Sequence, residues 1–183
     1  MQTEKAIEDV RIILQQFQDG YRARDLDKLD DFLNLFVQDD DVEFIGIAAV
    51  RRSENEWFQG LKAIGEIVES DWKYWGNIAL DVAGARIHVK GDVAWLTTTG
   101  ELVQTESFDQ ALEFYLNQMK EMLQDEQTDL VERLVEATHF GMRRLRERHK
   151  GEGHAWPFVF SGVLVRSGGM WRFHTIHWSM PVD

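Results

Sequence analysis

A chain of 183 residues, 44% of them hydrophobic, has the length of one domain and enough apolar surface to fold without covalent staples. Its 32 acidic against 20 basic side chains, a formal charge of −12, repel phosphate backbones and anionic headgroups, so neither nucleic acid nor membrane is expected as a partner. There is no cysteine for disulfides or thiolate chemistry, no run of eighteen apolar residues and no signal-like start; the expectation is a soluble cytoplasmic protein.

Ile7, Val10, Leu14, Phe17 and Tyr21 recur at three- and four-residue steps and predict a first amphipathic helix. Asp25 is placed to cap a shorter helix with the stripe Leu26, Leu29, Leu33 and Phe36. The acidic run Asp39-Asp40-Asp41 ends it, and VEFIGI reads as a short strand. A loop over 48–56 leads to another short strand around Trp57, and Gly60 precedes a third helix with Leu61, Ile64, Val68 and Trp72 on one side. From Asn77 a long strand changes apolar parity at Ala83-Gly84, which predicts a bulge. After the turn Lys90-Gly91-Asp92, VAWLTTTGELVQT runs back beside it. Helices followed by a meander of long strands predict an α+β layer, with helices on one face of a curved sheet.

Residues 105–153 depart from that plan and predict a helical hairpin inserted within a single domain spanning 1–183. One stripe is Phe108, Leu112, Tyr115, Met119 and Met122, the other Leu130, Leu134, Ala137, Gly141 and Leu145, with a break near 124–129. Residues 106–136 hold nine acidic and two basic side chains, whereas Arg143, Arg144, Arg146, Arg148 and Lys150 crowd the end. Cations there complement a helix dipole, and Gly151 is a natural stop.

The closing stretch PFVFSGVLVRSGGMWRFHTIHWSMP reads as two strands joined at Ser167-Gly168-Gly169. Regular alternation would put Trp171, Phe173, Thr175, His177 and Ser179 on one face and Arg172, His174, Ile176, Trp178 and Met180 on the other. His174 and His177 would then point to opposite faces, so HTIH is no metal pair, and neither metal nor cofactor is expected.

The ending WRFHTIHWS resembles the last strand of the SnoaL-like branch of the nuclear transport factor 2 superfamily, the group of ketosteroid-isomerase-like folds. YRARDLDKLDDFLNLF with DDDVEFIG, EWFQGLKAI and GDVAWLTTTGEL resemble its earlier elements in the same order. The resemblance implies a cone-shaped, curved antiparallel sheet packed around N-terminal helices, an apolar pocket at the open end and a homodimer through the outer sheet face. The positions matching the steroid isomerases' tyrosine, protonated acid and aspartate base fall near Gln16, Gly162 and Phe44, where that chemistry is missing. Tyr21 matches the tyrosine of the dehydratases' Tyr-Asp pair, with Arg22 where the acid would stand.

His177 on the Trp171 and Phe173 face could work as an acid, a base or a carbonyl-binding group, with Tyr21 as its partner. Phe44, Trp57, Trp75, Trp95, Phe173 and Thr175 are expected to line the pocket, since aromatic walls suit planar ligands. Two readings follow. One is a small-molecule-binding domain; the other is a cofactor-independent isomerase, cyclase or dehydratase acting through Tyr21 and His177. Ile176 and Trp178, opposite His177, are expected to be exposed and to form the dimer surface.

Overall fold

The computed structural model describes residues 2–47, 49, 52, 56–105, 107–124 and 127–180. They fall into two compact units, one made of the residues up to Leu102 together with those from Ala155 onward, the other of Val103–His154. In the first unit, helix α1 (Gln2–Ala23) buries Val10, Leu14, Phe17 and Tyr21 completely along one stripe. The Asp25 carboxylate accepts from the Asp27 N–H at 3.2 Å, and the helix it opens starts as a 3-10 turn, Leu26–Lys28, before α2 (Leu29–Leu33). That tighter start shifts the phase: Phe32 and Phe36 go inside, while Leu26 stays exposed. Strands β1 (Glu43–Ile45) and β2 (Trp57–Gln59) pair antiparallel, and α3 (Leu61–Tyr74) buries Ile64, Val68 and Trp72. Of the loop expected over 48–56, residues 48, 50, 51 and 53–55 lie outside the described ones.

The strand predicted from Asn77 is two strands, β3 (Asn77–Leu80) and β4 (Arg86–Lys90). Between them Asp81 Oδ1 accepts from the Gly84 N–H at 2.8 Å, so the expected bulge is a full break. With β5 (Val93–Val103), β6 (Ala155–Ser167) and β7 (Met170–Ser179) they form a seven-stranded sheet in the order β2-β1-β7-β6-β5-β3, with β4 paired to β5. The result is an α+β fold with a curved, open sheet and N-terminal helices. The β1–β7 pair is parallel, the one departure from the antiparallel expectation among the registers described. β3 ends that order, and α1 supplies partners to its backbone. Gln18 Oε1 accepts from the Leu80 N–H at 2.5 Å, Arg22 Nε donates to the Ile78 carbonyl at 3.4 Å, and Arg11 donates to the carbonyl of Val82 just beyond. Buried or sheet-edge backbone groups need such partners.

The decisive irregularity is in β7. Val163 faces Thr175 but Leu164 faces Phe173, leaving His174 as an extra residue. Parity therefore flips along the strand. Trp171 and Phe173 are buried before the bulge, Ile176 and Trp178 after it, and His177 is exposed. This corrects the strict alternation: His177 does not share a face with Phe173, and Ile176 and Trp178 are core residues, not an outer patch. The β6–β7 turn follows the sequence reading, with Gly168 and Gly169 at φ +60° and +82°.

In the second unit α4 (Phe108–Gln124) and α5 (Leu130–Arg148) pack antiparallel, with Tyr115 against Phe140 at 5.8 Å and Arg133 Nη1 donating to the Leu123 carbonyl at 2.9 Å. Asp129 caps α5 through the N–H groups of Val131 and Glu132. Tyr115 is buried while its neighbours Phe114 and Leu116 are exposed. The side chains of Phe108, Arg143, Arg144, Arg146 and Arg148 lie outside the described ones.

Gly100 sits where β5 passes under Phe158; a Cβ there would lie 2.6 Å from the Phe158 ring and 2.9 Å from the Ala79 carbonyl. Gly100→Ala should cost about 1–3 kcal/mol through overpacking, whereas Thr97→Ala on the exposed face of the same strand should cost under about 0.5 kcal/mol. Urea unfolding of both variants checks this, and equal midpoints would contradict the packing described.

Candidate functional site

Tyr21 closes the buried stripe of α1, and its ring is enclosed by Phe17, Phe32, Trp72 and Trp178 at centroid distances of 5.1 to 6.3 Å. Its hydroxyl donates to Asp71 Oδ2 at 2.9 Å. Asp71 lies on α3 immediately before buried Trp72 and is half-buried. Burial, and then the charge and hydrogen bond of Asp71, hold the Tyr21 phenol well above its ordinary value of 10.0, opposed in part by the positive charge of Arg24. Arg24 takes a left-handed conformation, φ +50°, just past the end of α1, where its N–H bonds the Gly20 carbonyl at 2.9 Å. For a side chain other than glycine this costs about 1–2 kcal/mol. Its Nη2 donates to the Asp71 carbonyl at 3.3 Å, so Arg24 and Tyr21 both bond the same residue.

Two of the rings around Tyr21 carry further donors. The indole nitrogens of Trp72 and Trp178 are buried with no hydrogen-bond partner among the described residues. Trp178, 1% exposed, also meets Trp75 edge-on at 5.5 Å, Phe158 at 5.0 Å and Phe44 at 6.0 Å. The cluster thus joins a tilted and edge-to-face aromatic surround, two donors unsatisfied among the described residues, a neutral phenol and the carboxylate of a half-buried residue. Such a set can hold an acceptor oxygen and exchange a proton next to it.

Of the residues expected from sequence, Tyr21, Phe44 and Trp75 meet around Trp178. Phe173 is fully buried but packs at Phe17, Phe36 and Phe160. Trp57 is half-buried on β2, with the Arg52 guanidinium 5.9 Å over its ring and Arg52 paired to Glu43 at 3.2 Å. His177 and Trp95 are corrected. His177 is exposed by the bulge, and Trp95, 44% exposed, stacks on His88 on the outer face of β5 because Ala94 and Leu96 take the inner one. Thr175 is half-buried beside the bulge, its hydroxyl 2.9 Å from His174 Nδ1. Sequence reasoning missed Asp71 and placed Trp178 outside. A signal for Asp71 was present: with Ile64 and Val68 it continues the apolar stripe of α3 at four- and three-residue steps, an acid where a hydrophobe is due. Among the described residues no three histidine or acid side chains converge as a metal would require.

A family model described as SnoaL-like domain matches residues 10–116. No curated protein matches the sequence. Solved structures share the fold at low identity. A nuclear transport factor 2-like protein from Pseudomonas putida is 15% identical, covering 99% of this chain and 90% of that one at a TM-score of 0.60. A superfamily member from Salmonella enterica is 13% identical, covering 98% and 94% at 0.61. A ketosteroid isomerase-like protein from Erwinia carotovora is 11% identical, covering 97% of both chains at 0.56.

Because the folded-state value of Tyr21 is raised, its contribution to stability is complete below about pH 10, the ordinary tyrosine value, and is lost as pH rises toward the folded value. Stability should therefore decline above that pH, and Tyr21→Phe should flatten the decline while costing about 0.5–1.5 kcal/mol at neutral pH. Asp71→Asn removes the adjacent negative charge and should bring tyrosinate absorbance in at lower pH. Denaturant titrations at pH 7 to 11, with tyrosinate absorbance followed in parallel, check both. Identical pH profiles for wild type and Tyr21→Phe would refute the assignment.

Proposed function

Since the chain belongs to the SnoaL-like domain family, we propose that it binds a small, mostly apolar molecule through one acceptor oxygen, beside Tyr21 and Asp71. What carries this reading is that two of the rings packed around Tyr21, those of Trp72 and Trp178, hold buried indole N–H groups without an acceptor among the described residues. A buried donor left unpaired costs about 1–3 kcal/mol, which a ligand oxygen recovers on binding. The surrounding rings of Phe44, Trp75 and Phe158 supply apolar contact, the usual composition of a small-molecule site.

A second reading, acid/base catalysis, is favoured by one observation: the Asp71 carboxylate is half-buried and hydrogen-bonded to a phenol kept neutral. Such a carboxylate would take a proton from the carbon next to a carbonyl. In a substrate with a double bond one carbon further out, the electron pair moves to the carbonyl oxygen, an indole N–H would bond the resulting dienolate, and return of the proton to the far end of that double bond, which shifts into conjugation, completes an isomerisation. The reaction would run through Tyr21 and Asp71, with His177 outside it on the exposed sheet face.

Two copies would pair through that outer face, where Val159, Val163 and Trp95 are 48%, 38% and 44% exposed. No helix among the described residues is long and apolar enough to cross a membrane. The formal charge of −12 and the lack of cysteine fit a cytoplasmic setting.

In a spectrum of isotope-labelled protein, the apolar ketone 2-tetralone should shift the Trp72 and Trp178 indole N–H resonances, leaving that of exposed Trp95 in place. Naphthalene, which lacks the oxygen, should not reproduce the shift. Asp71→Asn is expected to weaken the ketone about tenfold, the equivalent of 1.4 kcal/mol. Indole resonances unmoved up to the ketone's solubility limit would remove the binding reading. Deuterium uptake from heavy water next to the ketone carbonyl, faster than in buffer and lost in Asp71→Ala, is the result expected for catalysis; uptake at the buffer rate discards it. Sedimentation should show self-association of the chain that Trp95→Glu with Val163→Glu weakens.

A further inference from the structure

The strongest feature left unused lies in the helical hairpin. Tyr115, Ala137 and Gly141 are buried where α4 and α5 meet, and a Cβ at Gly141 would lie 2.6 Å from Met119 Sδ. A second face of α5 is exposed among the described residues. Val131, Val135, Met142 and Leu145 are 70%, 63%, 61% and 39% exposed, with exposed Thr138 in the middle. Their spacing, four, three, four and three residues, is that of a helix–helix seam, and the row runs for about 21 Å along the helix. Apolar side chains this exposed in one continuous row mark an interaction surface.

We infer that this face docks on the same face of a second copy of the chain, α5 against α5, antiparallel about a two-fold axis at Thr138. Two features select this occupant. With the axis at Thr138, Val131 and Leu145 stand seven residues to either side and face each other, while Val135 and Met142, three and four residues away, fall within one residue of facing, close to the self-complementary arrangement that a two-fold requires. Charge selects the same direction. Residues 129–137 carry three acidic side chains and one basic, while residues 139–150 carry five basic and one acidic. Antiparallel pairing brings the acidic half of each helix to the basic half of the other; parallel pairing would place like against like. The row belongs to the hairpin and the outer sheet face to the other unit, so the inference does not rest on the ligand reading or on the sheet dimer.

The chain has no cysteine, so a single one reports position cleanly. Helix axes about 8–10 Å apart, less two Cα radii of about 2.3 Å, leave facing Cα atoms about 3.5–5.5 Å apart, a range that overlaps disulfide reach. Thr138→Cys should therefore give a covalent dimer on mild oxidation, and Glu136→Cys, exposed on another side of α5, should not. Adding Val135→Glu should cut cross-linking about tenfold or more, with helix content unchanged by circular dichroism. If that variant unfolds the hairpin, Glu132→Lys with Glu136→Lys serves instead, since it sets basic halves against basic halves and should lower cross-linking likewise. Trp95→Glu with Val163→Glu should leave the cross-link intact. The inference is overturned if Thr138→Cys links no better than Glu136→Cys. It is equally overturned if the link survives a folded seam or charge variant, or if it disappears with the sheet-face pair.

Discussion

One extra residue in the last strand organises the interior of the sheet unit. Because His174 has no partner on β6, the residues before and after it both send their bulky side chains inward, Trp171 and Phe173 on one side, Ile176 and Trp178 on the other. β1 continues this arrangement, since it pairs with the segment after the bulge and sets Phe44 beside Ile176. A regular strand would bury His177 and put Trp178 outside, and Tyr21 would lose an aromatic neighbour. The bulge is tied down locally, with His174 Nε2 3.5 Å from Asp41 Oδ2 and Nδ1 2.9 Å from the Thr175 hydroxyl. Bulges commonly re-aim side chains next to functional sites.

The other constraint comes from backbone polarity. α1 covers a terminal strand, and its polar side chains Arg11, Gln18 and Arg22 meet the backbone of β3 and the turn after it, while its apolar stripe enters the core. The same helix delivers Tyr21 to Asp71, so docking of α1 and assembly of the polar cluster are one event. In the low dielectric of an aromatic core the phenol stays neutral. Its partner, the Asp71 carboxylate, belongs to a half-buried residue of α3. Separating two titratable groups in this way is how a fold assigns donor and acceptor roles.

The hairpin follows a different logic. It closes its own small interface with Tyr115, Ala137 and Gly141, and α5 presents a second apolar row that this interface does not use. A helix needs only one such stripe to pack against a single neighbour. Two stripes on one helix, with charge divided along its length, describe a component that has more than one partner.

Much of this was legible in the residues themselves. Helix positions followed from three- and four-residue spacing, as in Val10, Leu14, Phe17 and Tyr21, because that periodicity is a local property of the helix. The Asp25 cap, the Gly168-Gly169 turn and the order of strands were likewise carried by local chemistry. Tertiary structure alone decided the rest. A bulge depends on how two strands register, so nothing within WRFHTIHWS announces that His174 is skipped, and a parity error of one residue exchanges Trp178 for His177. Whether Asn77 to Lys90 bends or breaks depended on Asp81 folding back on Gly84. The meeting of Tyr21 with Asp71, fifty residues apart, needed two helices to cross at one point, and periodicity within either helix carries no information about the other.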